Sequence, residues 1–139
     1  PYVESDKLQF DLAEERDPFP FDAVKMAIAV SNLVDNAFKY GGKFTKVVIR
    51  TTISDDGDWI YCSVIDDGIG IAAEDIERIF ERFYVVDKGR SRERGGTGLG
   101  LNIVKKIVEA HGGSVCARSE LAKETVFTIK IPRTNFVSL

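Results

Sequence analysis

The chain has 139 residues, 44% of them hydrophobic and 29% charged, which suits one globular domain with its own core and excludes a second complete one. Its net charge of −3 supplies no general attraction to nucleic acid or to an anionic membrane, so any phosphate-bearing ligand must be held locally. Two distant cysteines, Cys62 and Cys116, and one histidine, His111, cannot make a four-ligand zinc site, and they read as free thiols of a reducing compartment.

The chain opens on PYVESDKLQFDLAEERD, which is acidic rather than signal-like, and no apolar run approaches the roughly 20 residues of a membrane span. A soluble piece of a longer polypeptide is expected, with residues 1–139 forming a single domain. KLQFDLA alternates like a short strand, and the turn-rich EERDPFPFD follows. Asp22 is positioned to cap a helix. From Ala23 to Tyr40 the residues Val24, Ala27, Ile28, Val30, Leu33, Val34, Ala37 and Phe38 recur at helical spacing, and Gly41 and Gly42 end the run.

TKVVIRTTIS and DWIYCSVID then predict an antiparallel hairpin through the turn Asp55-Asp56-Gly57-Asp58. The loop DDGIGI closes the second strand. AAEDIERIFERF reads as a short helix with Ile76, Ile79, Phe80 and Phe83 on one side, and periodicity is lost across Tyr84 to Thr97 in favour of charge and glycine. A helix from Leu99 to His111 returns with Leu101, Ile103, Val104, Ile107 and Val108, stops at Gly112-Gly113, and leads to the strands SVCARSE and TVFTIKIP. The expected fold is α+β, a two-layer α/β sandwich with a mostly antiparallel mixed sheet and three main helices on one face.

Asn32, Asn36 and Lys39 are spaced to share one face of the first helix, opposite much of its apolar stripe. An amide oxygen is a ligand that Mg²⁺ accepts beside waters and substrate phosphates, and lysine gives a point charge to phosphate oxygens. The same pattern also fits the wet side of an amphipathic helix. In DDGIGI, a carboxylate following a buried-looking strand accepts from an exocyclic amine, which adenine offers and guanine does not. An ordinary Asp-Gly turn is the alternative. GGTGLGL runs into the last helix, where unpaired amides attract phosphate oxygens, yet it lacks the ending of a Walker A loop and the βαβ surroundings of a dinucleotide fingerprint.

In order, SNLVDNAFKY, VIDDGIGI, RIFERFYVVD and GGTGLGLNIVKKIVEAHGG resemble the N, first glycine, F and second glycine boxes of the catalytic, ATP-binding domain of sensor histidine kinases. That resemblance spans Asn32 to Gly113. It implies the Bergerat ATP-binding fold shared with gyrase B, Hsp90 and MutL, with ATP between helices and sheet beneath a mobile lid. By the same resemblance Asn36 is the Mg²⁺ ligand, Asn32 an associated phosphate or metal contact, Lys39 a phosphate contact, and these three form the catalytic set. Tyr40 packs on the adenine side, Asp66 reads adenine with Gly68 and Gly70 shaping its pocket, and Asp67 is a solvent-facing neighbour. Gly96, Thr97, Gly98, Leu99 and Gly100 line the phosphates.

Phe80 and Phe83 anchor the lid, and Lys88, Arg90, Arg92 and Arg94 bring positive charge to it. Two departures stand out. FYVVD carries Val85 and Val86 where many relatives have an arginine, and LAKET lacks the usual glycine, although Thr125 there still suits adenine recognition through water.

The resemblance implies Mg-ATP as cofactor and transfer of the γ-phosphoryl group to a histidine on a separate dimerisation and acceptor domain of the same protein. A response regulator receiver domain takes the group next. Hydrolysing cousins place a general-base Glu one turn before the metal-binding Asn, and Asn32 stands there instead, so hydrolysis by the isolated domain is not expected. His111 reads as structural, a cation at a helix C-terminus. The expected setting is cytoplasmic and monomeric for this fragment, without nucleic acid or direct membrane contact. Two other readings stay open: a nucleotide-binding regulatory module without transfer, and a related serine kinase of the same superfamily.

Overall fold

TVFTIKIP alternates with period two, and the structure turns that alternation into two sheet faces. Thr125, Phe127, Ile129 and Ile131 are buried on one face, while Val126, Thr128 and Lys130 lie on the other. The computed structural model describes residues 8–12, 22–40, 45–82, 84, 100–120 and 123–133, with the side chains of Lys39 and Tyr40 outside that description.

The strands are β1 (Leu8–Asp11), β2 (Val47–Ile53), β3 (Trp59–Asp66), β4 (Ser114–Glu120) and β5 (Glu124–Pro132). The helices are α1 (Ala23–Tyr40), α2 (Ala73–Ile76) and α3 (Gly100–Ala110). The sheet order is β1-β2-β3-β5-β4, with β1 parallel to β2 and every other pair antiparallel. The predicted two-layer sandwich with a mostly antiparallel mixed sheet is therefore the observed architecture.

One face of the sheet is covered by α1 and α3, which also pack on each other. Met26, Ala29, Leu33 and Ala37 from α1 and Val104 and Val108 from α3 meet Val47, Ile49, Val64, Phe127, Ile129 and Ile131 from the strands. Each fully buried Val, Leu, Ile, Phe or Met side chain here contributes about 1.5–3 kcal/mol of transfer free energy.

Asp22 caps α1 as expected, its Oδ1 accepting the Lys25 N–H at 3.0 Å. The hairpin turn also forms where it was predicted. Gly57 sits at φ 78°, and Asp56 Oδ1 accepts from the Ser54 hydroxyl at 2.6 Å and from the Asp58 N–H at 2.9 Å.

Three expectations need correction. Val24, Ala27 and Ile28 are exposed, because the sheet covers only the side of α1 that carries Met26, Ala29, Leu33 and Ala37. Ile103 of α3 is likewise 42% exposed. The helix expected across residues 72–83 is α-helical only at Ala73–Ile76; Ala72 makes no side-chain cap, and three-residue turns continue the chain. Ile79 is nonetheless buried, and Phe80 packs edge-on against Phe127 at a ring separation of 6.0 Å. Phe83 lies outside the described residues. Among the described residues, no helix is long and apolar enough to cross a membrane.

Candidate functional site

His111 fixes the relative direction of the two long helices. Its Nε2 accepts the Asp22 N–H at 3.0 Å, so its Nδ1 carries the proton and donates to the Ile107 carbonyl at 2.9 Å. Held at both ring nitrogens, His111 serves as a structural tie, as expected. Because the start of α1 is bonded to the end of α3, the packed helices run antiparallel, and Asn32 and Asn36 lie in the half of α1 directed toward Gly100 at the start of α3. The chain turns at Gly112-Gly113 into β4, so the far end of β4, with Ser119, returns to that same end of the molecule.

Strand register completes the gathering. Asp66 is opposite Thr125, and Thr125 is opposite Ser119, which forms a row across β3, β5 and β4. Directly opposed residues share a sheet face. Asp66 is 5% exposed and Thr125 3% exposed, both on the face that the helices cover. Burial pushes the Asp66 carboxyl above the ordinary aspartate range, against the lowering effect of the Gly68 N–H, with Asp67 and Glu124 adding to the rise.

The glycine loop after β3 is tied down at both ends. Asp66 Oδ1 accepts the Gly68 N–H at 2.9 Å, and the Ile71 N–H donates to Ser119 Oγ at 2.7 Å. Asp67 is exposed as expected, but it is also a fastener: its Oδ1 accepts the Lys46 N–H at 2.7 Å. Gly70 has φ 82°, a left-handed conformation that a residue with a Cβ adopts at a cost.

Asn32 and Asn36 are half-buried, at the boundary between the helix–sheet core and solvent rather than on the fully wet side that Val24, Ile28 and Ser31 occupy. No group of three His, Cys, Asp or Glu among the described residues could hold a metal ion. A divalent cation at this end would draw on neutral amide oxygens, with waters and ligand oxygens completing the shell as they usually do for Mg²⁺. Among the described residues, a Cβ added at Gly100 would meet nothing within 4 Å, and α3 has no acidic residue in its first turn to repel an anion.

Lys39 and Tyr40 are described in backbone only, and Gly96, Thr97, Gly98, Leu99 and the lid residues Lys88, Arg90, Arg92 and Arg94 lie outside the described residues. Three contacts carry no sequence signal. Asn102 Nδ2 donates to the Phe80 carbonyl at 3.0 Å, linking the first turn of α3 to the turns after α2. Tyr84 donates its hydroxyl to Asp75, while the Arg78 guanidinium lies 4.5 Å from the Tyr84 ring centre.

Residues 21–135 match the family described as histidine kinase-, DNA gyrase B- and HSP90-like ATPases. The chain belongs to that family. It is 42% identical to the sensor histidine kinase WalK of Bacillus subtilis over 111 residues, which cover 80% of this chain and 18% of WalK. Among solved structures, the catalytic domain of the histidine kinase ThkA aligns with TM-score 0.76 and 28% identity, covering 93% of this chain and 81% of that one. Full-length ShkA in complex with AMPPNP aligns with TM-score 0.78 and 26% identity, covering 94% of this chain and 26% of ShkA. The chain is thus similar to the catalytic domains of histidine kinases, and it spans less than a fifth of the length of the curated relatives it matches.

Proposed function

We propose that the row of Asp66 and Thr125 receives the adenine of ATP, and that the domain passes the γ-phosphoryl group to a histidine on a separate dimerisation and acceptor domain. The observation that carries this reading is the buried Asp66 carboxylate, opposite Thr125, at the end of the molecule where α1 brings Asn32 and Asn36 and where α3 starts. An exocyclic amine donates to such a carboxylate, whereas a carbonyl would face its lone pairs. Gly68 and Gly70 shape the loop beneath the base, and Tyr40 packs on its side.

Asn36 supplies an amide oxygen to Mg²⁺, Asn32 a second contact to metal or phosphate, and Lys39 a charge to phosphate oxygens. Bound Mg²⁺ supplies charge neutralisation between the phosphates. Gly96, Thr97, Gly98, Leu99 and Gly100 offer backbone N–H groups at the start of α3. Asn32 cannot take a proton from water, so the domain activates no water and leaves the phosphoryl group to an outside nucleophile with its own lone pair. An imidazole nitrogen of the acceptor attacks phosphorus, the bond to the β-phosphate oxygen breaks, and ADP leaves. A receiver domain of a response regulator then takes the group, in a cytoplasmic setting, with residues 1–139 acting as one monomeric domain.

Calorimetry with ATP and GTP, with and without Mg²⁺, on the parent, Asp66→Asn and Asn36→Ala tests the site. Preference for ATP, its loss in Asp66→Asn and loss of the Mg²⁺ dependence in Asn36→Ala are expected. A supplied acceptor domain should then gain acid-labile phosphate from labelled ATP. Failure to bind ATP at millimolar concentration, or variants that bind like the parent, would overturn the reading.

A further inference from the structure

Beside Thr125 stands a third polar side chain that base recognition does not itself require. Ser119 Oγ lies 2.7 Å from the Ile71 nitrogen, 3.0 Å from the Glu124 carbonyl oxygen and 2.9 Å from Thr125 Oγ1. A serine hydroxyl has one proton and two lone pairs. The Ile71 N–H takes one lone pair. Glu124 offers only a carbonyl oxygen, which cannot donate, so the serine proton goes there. The remaining contact, with Thr125, then requires Thr125 to be the donor. The serine's proton and both of its lone pairs are thereby assigned, and so is the Thr125 proton.

We infer that Ser119 is a positioning residue for purine selection: it accepts the Thr125 proton and so leaves Thr125 presenting lone pairs beside the Asp66 carboxylate. The inference rests on the adenine reading of this pocket. Because Asp66 and Thr125 are opposed in register and face the same way, both present acceptors together. An amine, with two N–H groups, matches that surface, and a carbonyl meets lone pairs. Asp66 alone would discriminate less sharply, because a freely rotating threonine hydroxyl could turn its proton to a carbonyl or to Asp66 itself. Either turn erodes the preference, the first by welcoming the carbonyl and the second by occupying the acceptor.

The test compares dissociation constants of ATP and inosine triphosphate, whose bases differ at this group, for the parent, Ser119→Ala, Ser119→Thr, Thr125→Val and Asp66→Asn. Ser119→Ala should cut the ATP preference about five- to tenfold, the scale of one neutral hydrogen bond, and Ser119→Thr should keep it. In a Thr125→Val background, Ser119→Ala should leave the preference where Thr125→Val alone puts it. Should Ser119→Ala not fold, Ser119→Cys, whose thiol accepts only weakly, carries the same expectation. If Ser119 only tethers Ile71, both nucleotides weaken alike and the ratio stays, which overturns the proposal. A parent without ATP preference, or an Asp66→Asn variant that retains it, sinks the adenine pocket and this proposal with it. Loss of preference in Asp66→Asn but not in Ser119→Ala sinks the Ser119 role alone.

Discussion

A carboxylate buried like Asp66 opposes folding at neutral pH. Its folded-state pKa is raised by burial above the unfolded value, so the native state holds the proton to higher pH than the unfolded chain does. The resulting contribution to stability is present below the unfolded value of about 3.9 and is lost as pH rises through the folded pKa. Asp66→Asn keeps an oxygen for the Gly68 N–H and removes the charge, so this variant should melt at a higher temperature than the parent at pH 7 while losing ATP affinity by at least about tenfold. Differential scanning calorimetry and titration calorimetry read the two effects. ATP affinity of the parent should begin to fall, on acidification, at a pH above the ordinary aspartate range, and this dependence should vanish in the variant. Asp66 was legible in the sequence because an acid ends an apolar strand and glycines follow it. Ser119 was not legible, since one serine in an alternating strand looks like any outward polar residue, and only the β4–β5 register sets it beside Thr125.

The ends of α3 show why boundary glycines could be read while apolar stripes misled. Gly112 has φ 77°, and a Cβ on Gly113 would lie 2.0 Å from the Lys130 carbonyl oxygen, so both positions demand glycine for different reasons. Gly112→Ala should cost about 1 kcal/mol of backbone strain, whereas Gly113→Ala forces β4 off β5 and should cost more than about 2 kcal/mol in urea denaturation. The helix stop was therefore read correctly from two letters. Apolar spacing predicted a helix through residues 72–83 for the wrong conformational reason. Ile76, Ile79 and Phe80 do turn inward, but successive three-residue turns present them nearly as well as a helix, and four α-helical residues without a side-chain cap propagate no further. On α1, Val24 and Ile28 share the period of the core without its face. His111 joins α1 to α3 by a single accepted hydrogen bond, so His111→Ala should lower stability by about 1 kcal/mol. It should leave transfer to a supplied acceptor domain intact, which an acid-labile phosphate assay checks.

At the scale of the whole molecule, the antiparallel strands followed from alternation and turn residues, but their order did not. Nothing local tells β5 to insert between β3 and β4; what selects that place is the buried series Phe127, Ile129 and Ile131, which needs neighbours on both sides. The central pair consequently joins residues 59–66 to residues 125–132, with the glycine loop, α2, α3 and β4 strung between them. Closing so long a loop carries its entropy cost before the pairing returns anything, so folding should be slow and limited by this step. The row proposed to recognise the base straddles that very pair, Asp66 on one strand and Thr125 on the other. On that proposal no half-folded chain owns a pocket, and ATP has only the finished fold to bind. In stopped-flow denaturation, saturating ATP should slow unfolding and leave the refolding rate nearly untouched, so that the nucleotide acts as a keeper of the closed chain and never as the template on which it closes.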